Sequence, residues 1–121
     1  MSAKVLVIDD EPHMVRLMSY ILRKAGYQVV IASDGRQGLE RLAQEQPDMV
    51  FCDINMPNLD GFETLRTIRA NPAWHDLPVV MVTAQGQEGE IEQATALGAS
   101  AYITKPFSSS QVLGAVKEHL K

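Results

Sequence analysis

Five short apolar runs alternate along the chain with five longer stretches of helical period. Lys4–Ile8 (KVLVI) is apolar on both faces, as befits a strand buried inside a parallel sheet. Pro12 then stands at a first helical position, where its missing N–H is no loss. Met14, Leu17, Met18, Ile21, Leu22 and Ala25 recur at spacings of three and four and predict one apolar helix face, which Gly26 ends. Gln28–Ala32 reads as a second strand, and Gly35–Gln46 as a helix turning Leu39, Leu42 and Ala43 inward. Pro47 precedes a third strand, Met49–Cys52. Phe62, Leu65 and Ile68 mark a third helix, stopped at Asn71-Pro72 because the residue before proline is pushed out of the helical region. Pro78 opens a fourth strand, Val79–Val82. Ile91, Ala94 and Leu97 give a weakly amphipathic fourth helix closed by Gly98. Ala101–Thr104 is the fifth strand, and Ser108 caps a last helix bearing Val112, Val116 and Leu120.

Strict βα alternation with short connections predicts an α/β fold: a parallel sheet with helices on both faces. Right-handed crossovers leave few arrangements, and the doubly wound order 2-1-3-4-5 is the common one for five strands. A ligand crevice is then expected where strands one and three finish. No repeat, low-complexity tract or linker interrupts the pattern, so residues 1–121 are expected to form a single domain.

Composition narrows the function. The chain has 121 residues, enough for one core without staples, and a net charge of −4 with its 11 Lys and Arg scattered. Without a basic stripe, direct nucleic-acid binding is disfavoured. The apolar runs are far too short to span a membrane and the first residues lack a leader, so a cytoplasmic protein with no membrane partner is expected. One cysteine excludes an internal disulfide.

The chemistry gathers at the strand ends. Asp9, Asp10 and Glu11 follow strand one; Asp53 follows strand three, then Asn55, Met56 and Pro57; Thr83 and Ala84 follow strand four; Lys105 and Pro106 follow strand five. Singly, each has a plain explanation: Asp10 and Thr83 as helix caps, Asp53 as a turn former, Lys105 as a solvated loop residue. Jointly they place carboxylates from adjacent strands, about 4.8 Å apart, side by side. Two such charges at 4 Å repel by about 1 kcal/mol in water and about 4 kcal/mol in a half-buried site. One lysine cannot balance three carboxylates, whereas Mg²⁺ takes oxygen ligands of this kind. The acidic turn after strand one also disfavours a flavin or nucleotide phosphate, which needs a glycine-rich turn there.

These residues resemble the receiver domain of two-component response regulators, over essentially the whole chain from Val5 to about Leu120. The matching motifs are Asp9-Asp10, Asp53, Met56-Pro57, Asp60-Gly61, Thr83-Ala84, Tyr102 and Lys105-Pro106. The resemblance implies a flavodoxin-like sheet with five helices and a phosphorylation-activated switch in a phosphorelay, not an enzyme acting on external substrates. By the same resemblance Asp53 is the phosphoryl acceptor. Asp10, Asp53 and the Asn55 backbone carbonyl ligate Mg²⁺, or Mn²⁺ in its place, with Asp9 acting through a water. Lys105, the Thr83 hydroxyl and backbone N–H groups near Asn55 and Ala84 hold the phosphoryl oxygens. Thr83 and Tyr102 form the switch that alters the surface of helix four, strand five and helix five, Lys105-Pro106 carries a cis peptide, and Asn55 and Gln85 tune hydrolysis. The implied partners are a sensor histidine kinase or a histidine phosphotransfer protein upstream. Downstream stands an output protein, or an effector domain absent from this chain. The implied assembly is a monomer, or a weak dimer on phosphorylation.

Two rivals use similar sheets. A metal-dependent phosphatase with an aspartyl nucleophile wants an Asp-x-Asp after strand one and a cap domain. An electron carrier of flavodoxin type is opposed by the acidic turn. Elsewhere the readings are structural: Cys52 is a buried small hydrophobe pointing away from Asp53, and Trp74 packs. His13, His75 and His119 share no ligand spacing, and Glu88, Glu90 and Glu92 are a solvated helix face.

Overall fold

The computed structural model describes residues 3–56, 59–84 and 87–120. Its elements run β1 (Lys4–Ile8), α1 (Pro12–Lys24), β2 (Gln28–Ala32), α2 (Gly35–Glu45), β3 (Met49–Asp53), α3 (Gly61–Ala70), β4 (Val79–Ala84), α4 (Glu88–Ala96), β5 (Ala101–Lys105) and α5 (Ser109–His119). The five strands form one parallel sheet in the order β2-β1-β3-β4-β5, the topology the alternation predicts. This is the flavodoxin-like doubly wound arrangement.

Period-two alternation divides the core into two layers. Val5, Val7, Met49, Phe51, Val80 and Val82 pack with Met18 and Leu22 of α1 and Val112 and Val116 of α5. Leu6, Ile8, Val50, Cys52, Val79 and Met81 pack with Leu42 of α2, Leu65 and Ile68 of α3 and Ala94 of α4. The middle strands β1, β3 and β4 are therefore apolar on both faces because both faces are covered.

The helix ends follow local chemistry. Ser108 and Gln111 form a reciprocal capping box at the start of α5. Asp34 and Asp60 cap α2 and α3 by accepting from Gln37 N and Glu63 N. Gly26 and Gly98, both at φ +98°, follow α1 and α4, where a side chain would be strained. Gln46 takes a left-handed φ of 48° and ends α2 at Glu45, one residue short of the pattern's expectation.

Some positions on the expected apolar faces turn outward. Leu17 is 39% exposed, because the buried stripe of α1 is centred on Val15, Met18 and Leu22, and neighbouring residues lie about 100° apart around a helix. Ala25 is the exposed C-cap of α1, and Ala43 is exposed on α2. Arg69 of α3 does a tertiary job that periodicity does not signal. Its guanidinium donates to Gly98 O at 2.8 Å, Leu77 O at 2.7 Å and Ser100 Oγ at 3.3 Å, tying α3 to the chain entering β4 and β5.

Candidate functional site

Strand register builds the site. Ile8 pairs with Cys52 across β1 and β3, so the next residues, Asp9 and Asp53, emerge side by side. Asp53 pairs with Val82, which places Thr83 one step beyond it on β4; Ala84 pairs with Lys105 on β5. The ladders of β3, β4 and β5 continue past Cys52, Val82 and Ile103, so Asp53, Thr83, Ala84 and Lys105 are strand residues and not loop residues. Their directions are thereby held by backbone pairing.

Asp9, Asp10 and Asp53 each bring a carboxylate oxygen within 4.8 Å of the others. Asp9 and Asp53 are buried, and Asp10 is exposed at the rim. Asp10 does not cap α1: the N-cap is Glu11, without a side-chain cap bond. Lys105 reaches in from β5, its Nζ standing 3.2 Å from Asp9 Oδ2, 3.5 Å from Asp53 Oδ2 and 3.1 Å from Glu11 Oε1. The Glu11 backbone N–H donates to Asp9 Oδ1 at 2.9 Å, which orients that carboxylate.

The ammonium does not cancel the acidic charge. Burial, then the neighbouring Asp9 and Asp10 charges, push the Asp53 carboxyl up to about 7 although Lys105 opposes the shift. Burial also raises Asp9, against the pull of the Glu11 N–H and Lys105. For Lys105, burial disfavours the charge, but Asp53, Asp9 and Glu11 outweigh it and the ammonium is held above its usual range. Residual negative charge on hard oxygen donors, with no imidazole or thiolate among them, fits a small divalent cation such as Mg²⁺ or Mn²⁺.

Asn55 is exposed in the bend after β3. That bend is closed by Gly61 N donating to Ile54 O at 2.8 Å. A Cβ on Gly61 would run into the Asp53 carbonyl and the Ile54 Cα, so glycine here lets α3 begin directly against the Asp53 backbone. Asp60-Gly61 thus shapes the entry to α3, with Asp60 as its cap. Lys105-Pro106 is a cis peptide. Pro57 and Gln85 lie outside the described residues.

On the α4 side, Thr83 is fully buried and Tyr102 is 49% exposed. The Thr83 hydroxyl donates to Glu90 Oε1 at 2.8 Å. Glu90 is therefore not part of a purely solvated face, as its spacing with Glu88 and Glu92 suggested. It is half-buried in the first turn of α4. The available signal was positional: a helix that follows a parallel strand starts at the carboxyl edge of the sheet, so its first turn borders the crevice. The Lys105–Glu11 pair was also missed, since it joins residues remote in sequence. Cys52 is buried and free, facing the opposite layer from Asp53 as alternation implied. Trp74 packs against that layer.

Comparisons with known proteins agree with this geometry. The family model for the response regulator receiver domain matches residues 5–117. The alkaline phosphatase synthesis transcriptional regulatory protein PhoP of Bacillus subtilis is 39% identical over 121 residues; the match covers 100% of this chain and 50% of that protein. Protein PilG of Pseudomonas aeruginosa is 38% identical over 117 residues, 97% of this chain and 87% of that one. The chain thus spans half the length of one curated relative and most of the other. The chemotaxis protein CheY4 of Vibrio cholerae superposes with a TM-score of 0.93 at 31% identity, covering 99% of this chain and 100% of that one. A putative response regulator from Chloroflexus aurantiacus reaches a TM-score of 0.95 at 30% identity, covering 98% and 97%.

Proposed function

The chain belongs to the response regulator receiver family, and on that premise we propose that residues 1–121 form one receiver domain phosphorylated on Asp53 by a histidine-bearing donor. The observation that carries the reading is the convergence of Asp9, Asp10 and Asp53 within 4.8 Å, with the Lys105 ammonium 3.5 Å from Asp53 Oδ2. Asp10, Asp53 and the Asn55 backbone carbonyl would hold Mg²⁺, or Mn²⁺, with Asp9 reaching it through a water. The bound ion supplies charge neutralisation and alignment of donor and acceptor.

The residues of the chain have separable tasks. An Asp53 carboxylate oxygen forms the new bond to phosphorus, the donor's phosphorus–nitrogen bond breaks, and the imidazole leaves with the electron pair. Asp53 needs its carboxylate form for this, so the depth that raises its pKa has to be offset by cationic neighbours. Lys105, already within the cluster, balances charge on one equatorial oxygen of the transferred group. The Thr83 hydroxyl donates to another, and N–H groups near Asn55 and Ala84 to the rest. Pro106 supports the direction of Lys105.

Phosphorylation adds about 1.5 to 2 negative charges beside Thr83. Attraction of Thr83 towards the new oxygens and inward movement of Tyr102 would then change the surface formed by α4, β5 and α5. Thr83 pairs with Thr104 in the β4–β5 ladder, two residues from Tyr102, so both side chains stand on the α4 side of the sheet. Output passes through that surface to a partner protein, or to an effector domain outside this chain, as a monomer or a weak phosphorylated dimer. A sensor histidine kinase or phosphotransfer protein would supply the phosphoryl group in the cytoplasm. Among the described residues no helix is long and apolar enough to cross a membrane. A phosphatase acting on external esters gains no support from the family match.

Incubation with acetyl phosphate and Mg²⁺ tests the proposal. One acid-stable, base-labile phosphoryl group per chain, lost in Asp53→Asn, is expected. Multiple turnover of diverse phosphate esters would favour the phosphatase instead.

A further inference from the structure

We propose that Glu90 is a positioning residue that holds the Thr83 hydroxyl away from the acceptor site and so slows phosphoryl acceptance by Asp53. The inference rests on the phosphoryl-acceptor reading of Asp53 and adds to it a residue outside the set assigned there.

A threonine hydroxyl has a single hydrogen to donate. In this structure it is given to Glu90 Oε1 at 2.8 Å, a bond to an ionised acceptor and therefore stronger than one to a neutral oxygen. A phosphoryl oxygen on Asp53 needs the same hydrogen, and Thr83 cannot serve both. Donation from Thr83 to a phosphoryl oxygen thus requires the Thr83–Glu90 bond to break, which adds to the barrier for phosphoryl acceptance and leaves the Glu90 carboxylate to be rehydrated.

The surroundings allow that exchange. Glu90 is the third residue of α4, and Ala94 is the only residue of that helix that is buried among the described residues. The N-cap Gln87 makes no side-chain cap bond, so the first turn lacks that anchor. Thr83 itself is held in the sheet by β4–β5 pairing and fully buried, so its backbone stays while its hydroxyl changes partner. Loss of the Glu90 contact would free the first turn of α4, the part of the output surface nearest the site.

The test is a double-mutant cycle on the rate of labelling by radioactive acetyl phosphate with Mg²⁺. In that reaction an Asp53 oxygen bonds to phosphorus and acetate departs. Glu90→Ala is expected to label about tenfold faster than the parent, the scale of a hydrogen bond to a charged group. Glu90→Gln should fall between, because its amide oxygen accepts the same hydrogen without the charge. In a Thr83→Ala background, Glu90→Ala should change the rate by less than about twofold, since no hydroxyl remains to compete for. A purely structural role for Glu90 would give the same change with or without Thr83. An unchanged or slower rate in Glu90→Ala, or an equal effect in the Thr83→Ala background, overturns the inference while the acceptor reading stands. Failure of the parent chain to label on Asp53 overturns both.

Discussion

Replacing Asp53 by asparagine should make the metal-free protein more stable, although it removes the proposed acceptor. Asp53 is only 5% exposed and its carboxyl is raised from 3.8 to about 7 by burial and by Asp9. A raised acid titrates in the unfolded chain before it does in the folded one. Below the unfolded value both states hold the proton, and the group contributes no pH dependence. Between 3.8 and about 7 the unfolded chain ionises first, so stability falls as pH rises, and above that window the penalty is constant. At about 1.4 kcal/mol per pH unit the full window would amount to about 4 kcal/mol. The crevice is open to water at Asp10, and screening there reduces the realistic penalty to about 2 kcal/mol. Urea unfolding in EDTA, repeated from acid to mildly alkaline pH, should therefore show Asp53→Asn gaining on the parent as pH rises, up to about 2 kcal/mol. In a thermal scan that corresponds to an increase in Tm on the order of 6–10 °C. Saturating Mg²⁺ should close the gap by stabilising the parent, by about 2.7 kcal/mol at a hundredfold excess over Kd. A parent that is more stable than Asp53→Asn in EDTA above neutrality, or a difference independent of pH, would refute the claim that the cluster is uncompensated.

Further expectations follow from the packing. Gly61→Ala forces a methyl against the Asp53 carbonyl and Ile54 Cα, and should cost about 1–3 kcal/mol in urea unfolding and slow acetyl phosphate labelling. Lys105→Met removes the only ammonium in the cluster among the described residues; isothermal titration should find Mg²⁺ bound at least as tightly, while phosphoryl labelling falls at least tenfold. Arg69→Met leaves the carbonyls of Leu77 and Gly98 without their donor and should lower stability by about 2–3 kcal/mol without altering Mg²⁺ affinity. Burial pushes the Cys52 thiol above its usual range, so a thiol reagent should label the native chain only at the rate of unfolding.

The alternation of KVLVI-type runs with helical stretches determined the class of fold, the strand order and nearly every element boundary. Each depends on local periodicity and on the handedness of crossovers, which hold without knowing any contact. The candidate site was legible for a related reason: in a parallel sheet every strand ends on the same edge, so residues that follow the strands must converge. The motif resemblance added a chemistry to that convergence. What local pattern could not supply was partnership across the sheet. Strand lengths past Cys52 and Val82 depended on ladder pairing, the outward turn of Leu17 on how α1 rolls over the core, and the Arg69 clamp on three segments far apart in sequence. The Glu11–Lys105 contact arises where β1 and β5 deliver their ends to one place, and the Thr83–Glu90 contact where α4 folds its first turn back over the end of β4. The type and order of the elements follow from each segment's own side chains. Which acidic group holds a given hydroxyl or ammonium is set only when β1, β3, β4 and β5 lie in register and α4 is docked above them.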